Sequence, residues 1–139
     1  MARHAYNDHL KKVSLFADLD DDDLDMVARC ATQLDYPAGK VLMIEGATAH
    51  EMFVVVEGEV EVTREGEHIA DLGPGSFVGE MSLLTHTRRN STVTTKTSAS
   101  VLHVDGRGFT GILREVPAIG AKMLPVVAAR AAQNSQHDD

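Results

Sequence analysis

The chain has 139 residues, with 13 Lys and Arg against 21 Asp and Glu, which gives a formal net charge of −8 when His is neutral. This balance argues against a nucleic-acid partner or an acidic membrane surface, because binding phosphates requires clustered positive charge. The single cysteine, Cys30, excludes an internal disulfide and a cysteine-based zinc site. We expect one globular, cytoplasmic domain over residues 1–139, without a signal peptide or a membrane span.

Residues 1–36 predict an N-terminal helical region. The acidic run from Asp20 to Asp23 precedes apolar residues at helical spacing, namely Leu24, Val27, Ala28 and Ala31. Asp20 is suited to cap this helix at its N-terminus. A calcium-binding loop counted from Asp18 would need Gly at its sixth position and Glu at its twelfth, and neither is present. The acidic run is therefore better explained by helix capping than by calcium.

Residues 37–105 predict a β-roll. Short segments rich in Val, Ile, Thr and Phe alternate there with glycine turns, which is typical of antiparallel sandwiches and jelly rolls. The predicted strands are Val41 to Ile44, His50 to Val56, Glu59 to Arg64, His68 to Leu72, Thr92 to Lys96 and Ser100 to Val104. The fold class is therefore mainly β, an antiparallel β-roll or jelly roll (double-stranded β-helix) with N-terminal and C-terminal helices.

Residues 106–135 predict the C-terminal helices. A short helix contains Phe109, Ile112 and Leu113, and a last helix runs from Ala118 to about Gln133. Pro125 lies inside the last helix, where a missing N–H and a ring clash should kink or split it. This interruption argues against a long dimerisation helix and against a firm lid.

The segment from residue 75 to residue 93 stands out chemically. Gly79 allows close approach of the backbone to a ligand, and one helical turn from Glu80 would present N–H groups to an anion. Arg89 follows beside Arg88, and an arginine fork suits a phosphate. A nearby carboxylate suits a sugar hydroxyl. The segment therefore indicates a sugar-phosphate site inside the β-roll.

These features occur within a longer series of motifs, and with them the chain resembles the cyclic nucleotide-binding domain family. That family includes protein kinase A regulatory subunits, catabolite activator proteins and cyclic nucleotide-regulated channels. The resemblance covers nearly the whole chain and rests on Leu15-Phe16-Ala17-Asp18-Leu19, Tyr36-Pro37-Ala38-Gly39-Lys40-Val41-Leu42, Glu45-Gly46, Phe53-Val54-Val55, Glu57-Gly58-Glu59-Val60, and Gly79-Glu80-Met81-Ser82-Leu83-Leu84 with Arg89 and Thr92-Val93. The last motif, within residues 75–93, resembles the family's phosphate-binding cassette.

The resemblance implies a role for each residue of the cassette. Arg89 would pair with the exocyclic phosphate oxygen, and Glu80 would bind the ribose 2′-hydroxyl. Gly79 would admit the sugar, while Ser82 and the amides around Met81 would complete the phosphate cradle. The implied ligand is cAMP, with cGMP as a possibility, and no further cofactor is expected.

Other residues would complete the pocket. Asn90 and Ser91 lie at the phosphate end, where Asn90 departs from the small residues usual in the family and leaves the base preference open. The candidates for contact with the base or the pocket wall are Val62, Leu72, Val78, Arg130 and Asn134, with Gln133 a further polar residue of the last helix. Packing in the core is the alternative role for the three apolar residues.

The resulting hypothesis is a stand-alone sensor that passes ligand occupancy through its C-terminal helices to an unknown downstream protein, as a monomer or weak homodimer. A degenerate domain that only contacts proteins is the alternative. DNA binding is not expected, because the chain ends in a non-basic segment without a helix-turn-helix. A metal-dependent cupin would use His50, Glu51 and His68, but no close His-x-His pair is present. We therefore expect neither catalytic residues nor a metal.

Overall fold

The computed structural model describes residues 7–8 and 10–138, and it describes side chains as far as residue 133. A 3-10 turn, Ser14–Phe16, leads into helix α1, Asp21–Cys30. The carboxylate of Asp20 accepts a hydrogen bond of 2.9 Å from the backbone N–H of Asp23, as the sequence predicts for a cap.

Eight strands follow in the described chain. They are β1 (Thr32–Tyr36), β2 (Val41–Met43), β3 (Glu51–Glu57), β4 (Val60–Arg64), β5 (Glu67–Leu72), β6 (Phe77–Val78), β7 (Thr92–Thr95) and β8 (Ala99–Asp105). Helix α2 (Glu80–Thr85) lies between β6 and β7, and α3 (Gly106–Glu115) and α4 (Pro117–Asp138) follow β8. The strands form two antiparallel four-stranded sheets, in the orders β1-β8-β3-β6 and β2-β7-β4-β5. The predicted fold class is confirmed.

Strand β3 is buried on both faces because each face packs into a different core. Met52, Val54 and Val56 pack against the helices. Phe53 and Val55 alternate with them and pack between the two sheets. Strand β8 also contributes to both cores, with Leu102 and Val104 on the helical side and Val101 between the sheets, so the two central strands of this sheet join the helical layer to the second sheet.

Two boundaries differ from the sequence prediction. The β-roll begins at Thr32 and not at residue 37, since the last part of the predicted helical region is strand β1, which pairs with β8 from Thr32↔His103 to Tyr36↔Ala99. The last helix is not split, because α4 runs through Pro125. Ala121, whose carbonyl loses the N–H of Pro125 as a partner, is exposed, and water can satisfy that oxygen. No helix among the described residues is long and apolar enough to cross a bilayer.

Candidate functional site

A pocket of about 470 Å³ opens between the second sheet, helix α2 and helix α4. Its volume lies in the range of about 300–1,000 Å³ that is usual for small-molecule sites. Apolar side chains from β4, β5 and β6 form one wall, including Val62, Leu72 and Val78. The same three residues belong to or pack against the core between the sheets, so they line the pocket and also pack in the core.

Gly79, the residue before α2, has a left-handed backbone conformation and leaves no room for a side chain. Its φ of +88° is in the left-handed region, which glycine adopts without steric cost. A Cβ at this position would lie 2.7 Å from Nη1 of Arg89 and 3.2 Å from the carbonyl oxygen of Glu51. The missing side chain is therefore what lets the Arg89 guanidinium lie against the backbone.

Arg89 is a buried cation bound by several groups of the protein. Its Nη1 donates to the carbonyl oxygen of Gly79 at 3.0 Å and to Oγ of Ser82 at 3.1 Å, and its Nη2 donates to the carbonyl oxygen of Glu51 at 2.6 Å. The side chain is only 2% exposed, and the Glu51 carboxylate lies 3.8 Å away. Burial lowers the pKa of the guanidinium, while the carboxylates of Glu51 and Glu80 act in the opposite direction. Arg89 lies behind Gly79 and Ser82, which line the pocket, and does not itself line it.

Glu80 and Arg130 form the link between the cassette and helix α4. Arg130 Nη1 lies 2.7 Å from Oε1 of Glu80, whose side chain is 2% exposed. The Arg130 guanidinium also lies 5.0 Å from the ring centroid of Phe77. The second carboxylate oxygen of Glu80, Oε2, is buried and has no hydrogen-bond partner within the described structure. Helix α4 thus covers the pocket as a lid, in contrast to the doubt raised by Pro125.

The remaining polar groups lie at the end of the pocket formed by the segment before β7. The Ser91 hydroxyl donates to the carboxamide oxygen of Asn90 at 3.0 Å. Nε of Arg64, on β4, donates to the Asn90 carbonyl oxygen at 2.9 Å. Arg64 therefore holds the backbone directly after Arg89 and brings a second guanidinium to the pocket wall.

Most of the residues chosen from the sequence do line the pocket. These are Gly79, Glu80, Met81, Ser82, Asn90, Ser91, Val62, Leu72, Val78, Arg130 and Gln133. Arg89 lies just behind them, and the side chain of Asn134 is outside the described residues. Sequence reasoning missed Arg64, Ile69 and Val126, which also line the pocket. Arg64 could have been found from the alternation of β4, because it falls on the same face as Val62.

A wider groove of about 750 Å³ lies on the other side of α2, and Ser82 reaches both cavities. Leu84, Arg107 and Phe109 are among its lining residues, whereas Glu80 and Arg130 are not. The buried Glu80 side chain and its partner Arg130 therefore face the smaller pocket, which is the better candidate site.

Comparisons with a family model and with curated proteins point to the same family. The family model described as cyclic nucleotide-binding domain matches residues 33–116. The cAMP-dependent protein kinase regulatory subunit of Yarrowia lipolytica is 33% identical over 116 residues, which cover 82% of this chain and 31% of that protein. The chain thus spans less than a third of the length of this curated relative.

Two solved structures show the same fold. The cAMP-bound PfPKA-R superimposes with a TM-score of 0.81 at 23% identity, covering 97% of this chain and 47% of that one. The regulatory subunit of a cAMP-independent protein kinase A from Trypanosoma brucei gives a TM-score of 0.83 at 18% identity, covering 99% and 50%. One fold therefore occurs both in a cAMP-bound protein and in a protein described as cAMP-independent.

Proposed function

This chain belongs to the cyclic nucleotide-binding domain family, and on that premise we propose that it is a sensor that binds cAMP in the pocket under helix α4. Ligand occupancy is passed through α4 to a downstream protein. The observation that carries this proposal is the buried Glu80, one of whose carboxylate oxygens has no partner in the described structure. A buried acceptor without a donor costs about 1–3 kcal/mol, and more when it is charged. A ribose hydroxyl entering the pocket would supply that donor.

The phosphate end of the ligand is assigned to Arg89 and Ser82. A guanidinium has five N–H donors, and the bonds to Gly79, Ser82 and Glu51 use three of them. The Ser82 hydroxyl lies between Arg89 and the pocket, so a phosphate oxygen would reach the guanidinium by replacing that contact. Neutralising one buried cation with one cyclic phosphate is favourable, because the low-dielectric surroundings strengthen charge pairing.

The base end is assigned to the apolar wall of β4 and β5, including Val62 and Leu72, and to α4. We favour cAMP because the curated relative described above is named for dependence on it. Asn90 and Ser91 present both donors and acceptors next to the pocket, and cGMP is therefore the ligand to compare with it.

Signal transmission is assigned to the contact between Arg130 and Glu80. The ion pair attaches α4 to the cassette through Oε1, while the sugar would use Oε2. A ligand that fills the space below α4 adds contacts to the closed arrangement and shifts the population toward it, since a ligand favours the state that it binds better. Amide hydrogen exchange in α4 should therefore slow when cAMP is added.

The alternative is a degenerate domain that keeps the fold for contacts between proteins. It is favoured by the position of Arg89, which already makes three hydrogen bonds to the protein and does not line the pocket. For the whole protein we assign no catalysis and no nucleic-acid contact. We place it in the cytoplasm as a monomer or weak homodimer.

Calorimetry with cAMP and cGMP separates the two functions. Replacing Arg89 with Ala should weaken cAMP binding by about 2–5 kcal/mol, which is the scale for losing a buried charge partner. Arg88→Ala is the matched control, because Arg88 is exposed and donates only one described hydrogen bond, to the Gly46 carbonyl oxygen. Glu80→Ala should cost less than Arg89→Ala, since it removes a sugar contact and leaves the phosphate paired.

The sensor proposal is wrong if the wild type shows neither binding heat nor a shift in melting temperature at about millimolar cAMP and cGMP. An Arg88→Ala variant that loses as much affinity as Arg89→Ala would overturn the assignment of the phosphate to Arg89. Melting curves of each variant separate lost binding from lost folding.

A further inference from the structure

The outer face of the β4–β5 hairpin brings together an imidazole and two carboxylates. Glu61 on β4 and Asp71 on β5 are direct partners across the strands. Nδ1 of His68 lies 2.9 Å from Oε2 of Glu61 and 3.8 Å from Oδ1 of Asp71. The potential ligand atoms of the three residues all lie within 4.8 Å of one another. The cupin candidates His50 and Glu51 do not join this group within the described structure.

A β-bulge places His68 in this position. Val62 pairs with Ala70, but Thr63 pairs with His68, so Ile69 is an extra residue on β5. Residues three apart on a regular strand point to opposite faces, whereas the bulge turns His68 and Asp71 to the same side. Reading the strand as a simple alternation would have separated these two side chains.

The donor set and its dimensions fit one small divalent cation. Zinc binds imidazole nitrogen and carboxylate oxygen at about 2.0–2.2 Å, which puts neighbouring ligands of a tetrahedral ion roughly 3.4 Å apart. His68 Nδ1 and Glu61 Oε2 are joined by a hydrogen bond at 2.9 Å, so this pair would open to about 3.4 Å around an ion, while the 3.8 Å between His68 and Asp71 would shorten. We propose that Glu61, His68 and Asp71 form a Zn²⁺ site in which water fills the remaining coordination.

Lys96 is the group that opposes this site. Its Nζ lies 2.7 Å from Oδ2 of Asp71 and 3.5 Å from Oε1 of Glu59. The lysine therefore uses the other oxygen of Asp71 and leaves Oδ1 facing His68. An ammonium so close to a ligand repels a dication, so removing this charge should tighten zinc binding.

The proposed metal site and the pocket lie on opposite faces of the same two strands. Val62, Ile69 and Ala70 line the pocket, while Glu61, His68 and Asp71 lie on the outer side of the same two strands. A bound ion would join β4 to β5 and stiffen this wall. The inference stands whether or not the pocket binds a nucleotide.

Zinc titration of the tag-free chain by calorimetry, with Co²⁺ absorption as a probe of the coordination sphere, tests the proposal. We expect one equivalent to bind to the wild type, and His68→Ala to weaken it by at least about tenfold. His50→Ala is the matched control, because it removes one exposed imidazole outside the group and should leave the affinity unchanged. Lys96→Met should bind more tightly than the wild type.

Two results would overturn the proposal. One is the absence of zinc binding to the wild type at about millimolar metal, far above the range expected of a three-ligand site. The other is equal affinity of wild type and His68→Ala, which would mean that histidines elsewhere hold the ion. His68 is half exposed, so folding should survive its loss. Glu61→Gln is a second variant that keeps the side-chain shape. Affinity for zinc equal to that of the wild type would overturn the proposal here as well.

Discussion

Replacing Arg130 with Met tests the ion pair that attaches α4 to the cassette. Methionine keeps an unbranched, apolar side chain of helical preference, so the main loss is the guanidinium. That group lies 2.7 Å from Oε1 of Glu80 and over the Phe77 ring. After the change, both oxygens of Glu80 lack a partner within the described structure.

The expected magnitude lies between two limits. Removing one partner of a fully buried pair costs about 3–5 kcal/mol, whereas exposed pairs contribute about 0–1 kcal/mol. The Glu80 side chain is 2% exposed, but that of Arg130 is 24% exposed, so water can follow the path that the guanidinium leaves. We therefore expect Arg130→Met to lower the free energy of unfolding by about 1–3 kcal/mol.

Urea unfolding of the wild type, Arg130→Met, Glu80→Gln and the double variant measures the effect and its coupling. Arg114→Met is the control, since Arg114 is an exposed helical arginine and should change stability by less than about 0.5 kcal/mol. The reasoning is refuted if Arg130→Met is as stable as this control. It is also refuted if the two single changes are simply additive, because a real pair must show coupling.

Three further substitutions test other parts of the structure. Gly79→Ala should destabilise the fold by about 1–3 kcal/mol and weaken nucleotide binding. Gly66→Ala is the control, because Gly66 has a similar φ but open space around it, and it should leave binding intact. Melting curves and calorimetry compare the two variants. Asp20→Ala should cost about 0.5–2 kcal/mol in chemical unfolding through loss of the helix cap, and no loss would contradict the cap geometry. Thr95→Val should cost about 1–3 kcal/mol, because the buried hydroxyl donates to the Pro37 carbonyl oxygen and accepts from the Lys40 N–H; unchanged stability would contradict that role.

Sequence pattern predicted the central strands well where local signals were strong. On β4, apolar Val60 and Val62 alternate with Glu61 and Thr63, and the strand appears there. Strand β1 was missed because its five residues include only Leu34 and Tyr36 as large apolar side chains. What makes β1 a strand is its pairing with β8, a contact between distant parts of the chain that no local pattern contains.

The cassette was predicted as a unit, but its orientation was not. From the resemblance, Arg89 was expected to pair directly with the phosphate, whereas its guanidinium lies behind Ser82, in space that Gly79 leaves open. Pro125 led us to expect no firm lid, because it was expected to kink or split the last helix. The presence of a proline does not determine which surface that helix packs against. The contact of Arg130 with Glu80 joins residues of two separate elements and follows from the tertiary fold alone.

The position of β8 between β1 and β3 has a consequence for biosynthesis. Glu51 of β3 pairs with Asp105 of β8, so the sheet β1-β8-β3-β6 cannot form while β8 is still inside the ribosome. A nascent chain halted before Ala99 would therefore expose apolar side chains of β3 to chaperones. The backbone amides of β3 should become protected from hydrogen exchange only when β8 emerges from the exit tunnel.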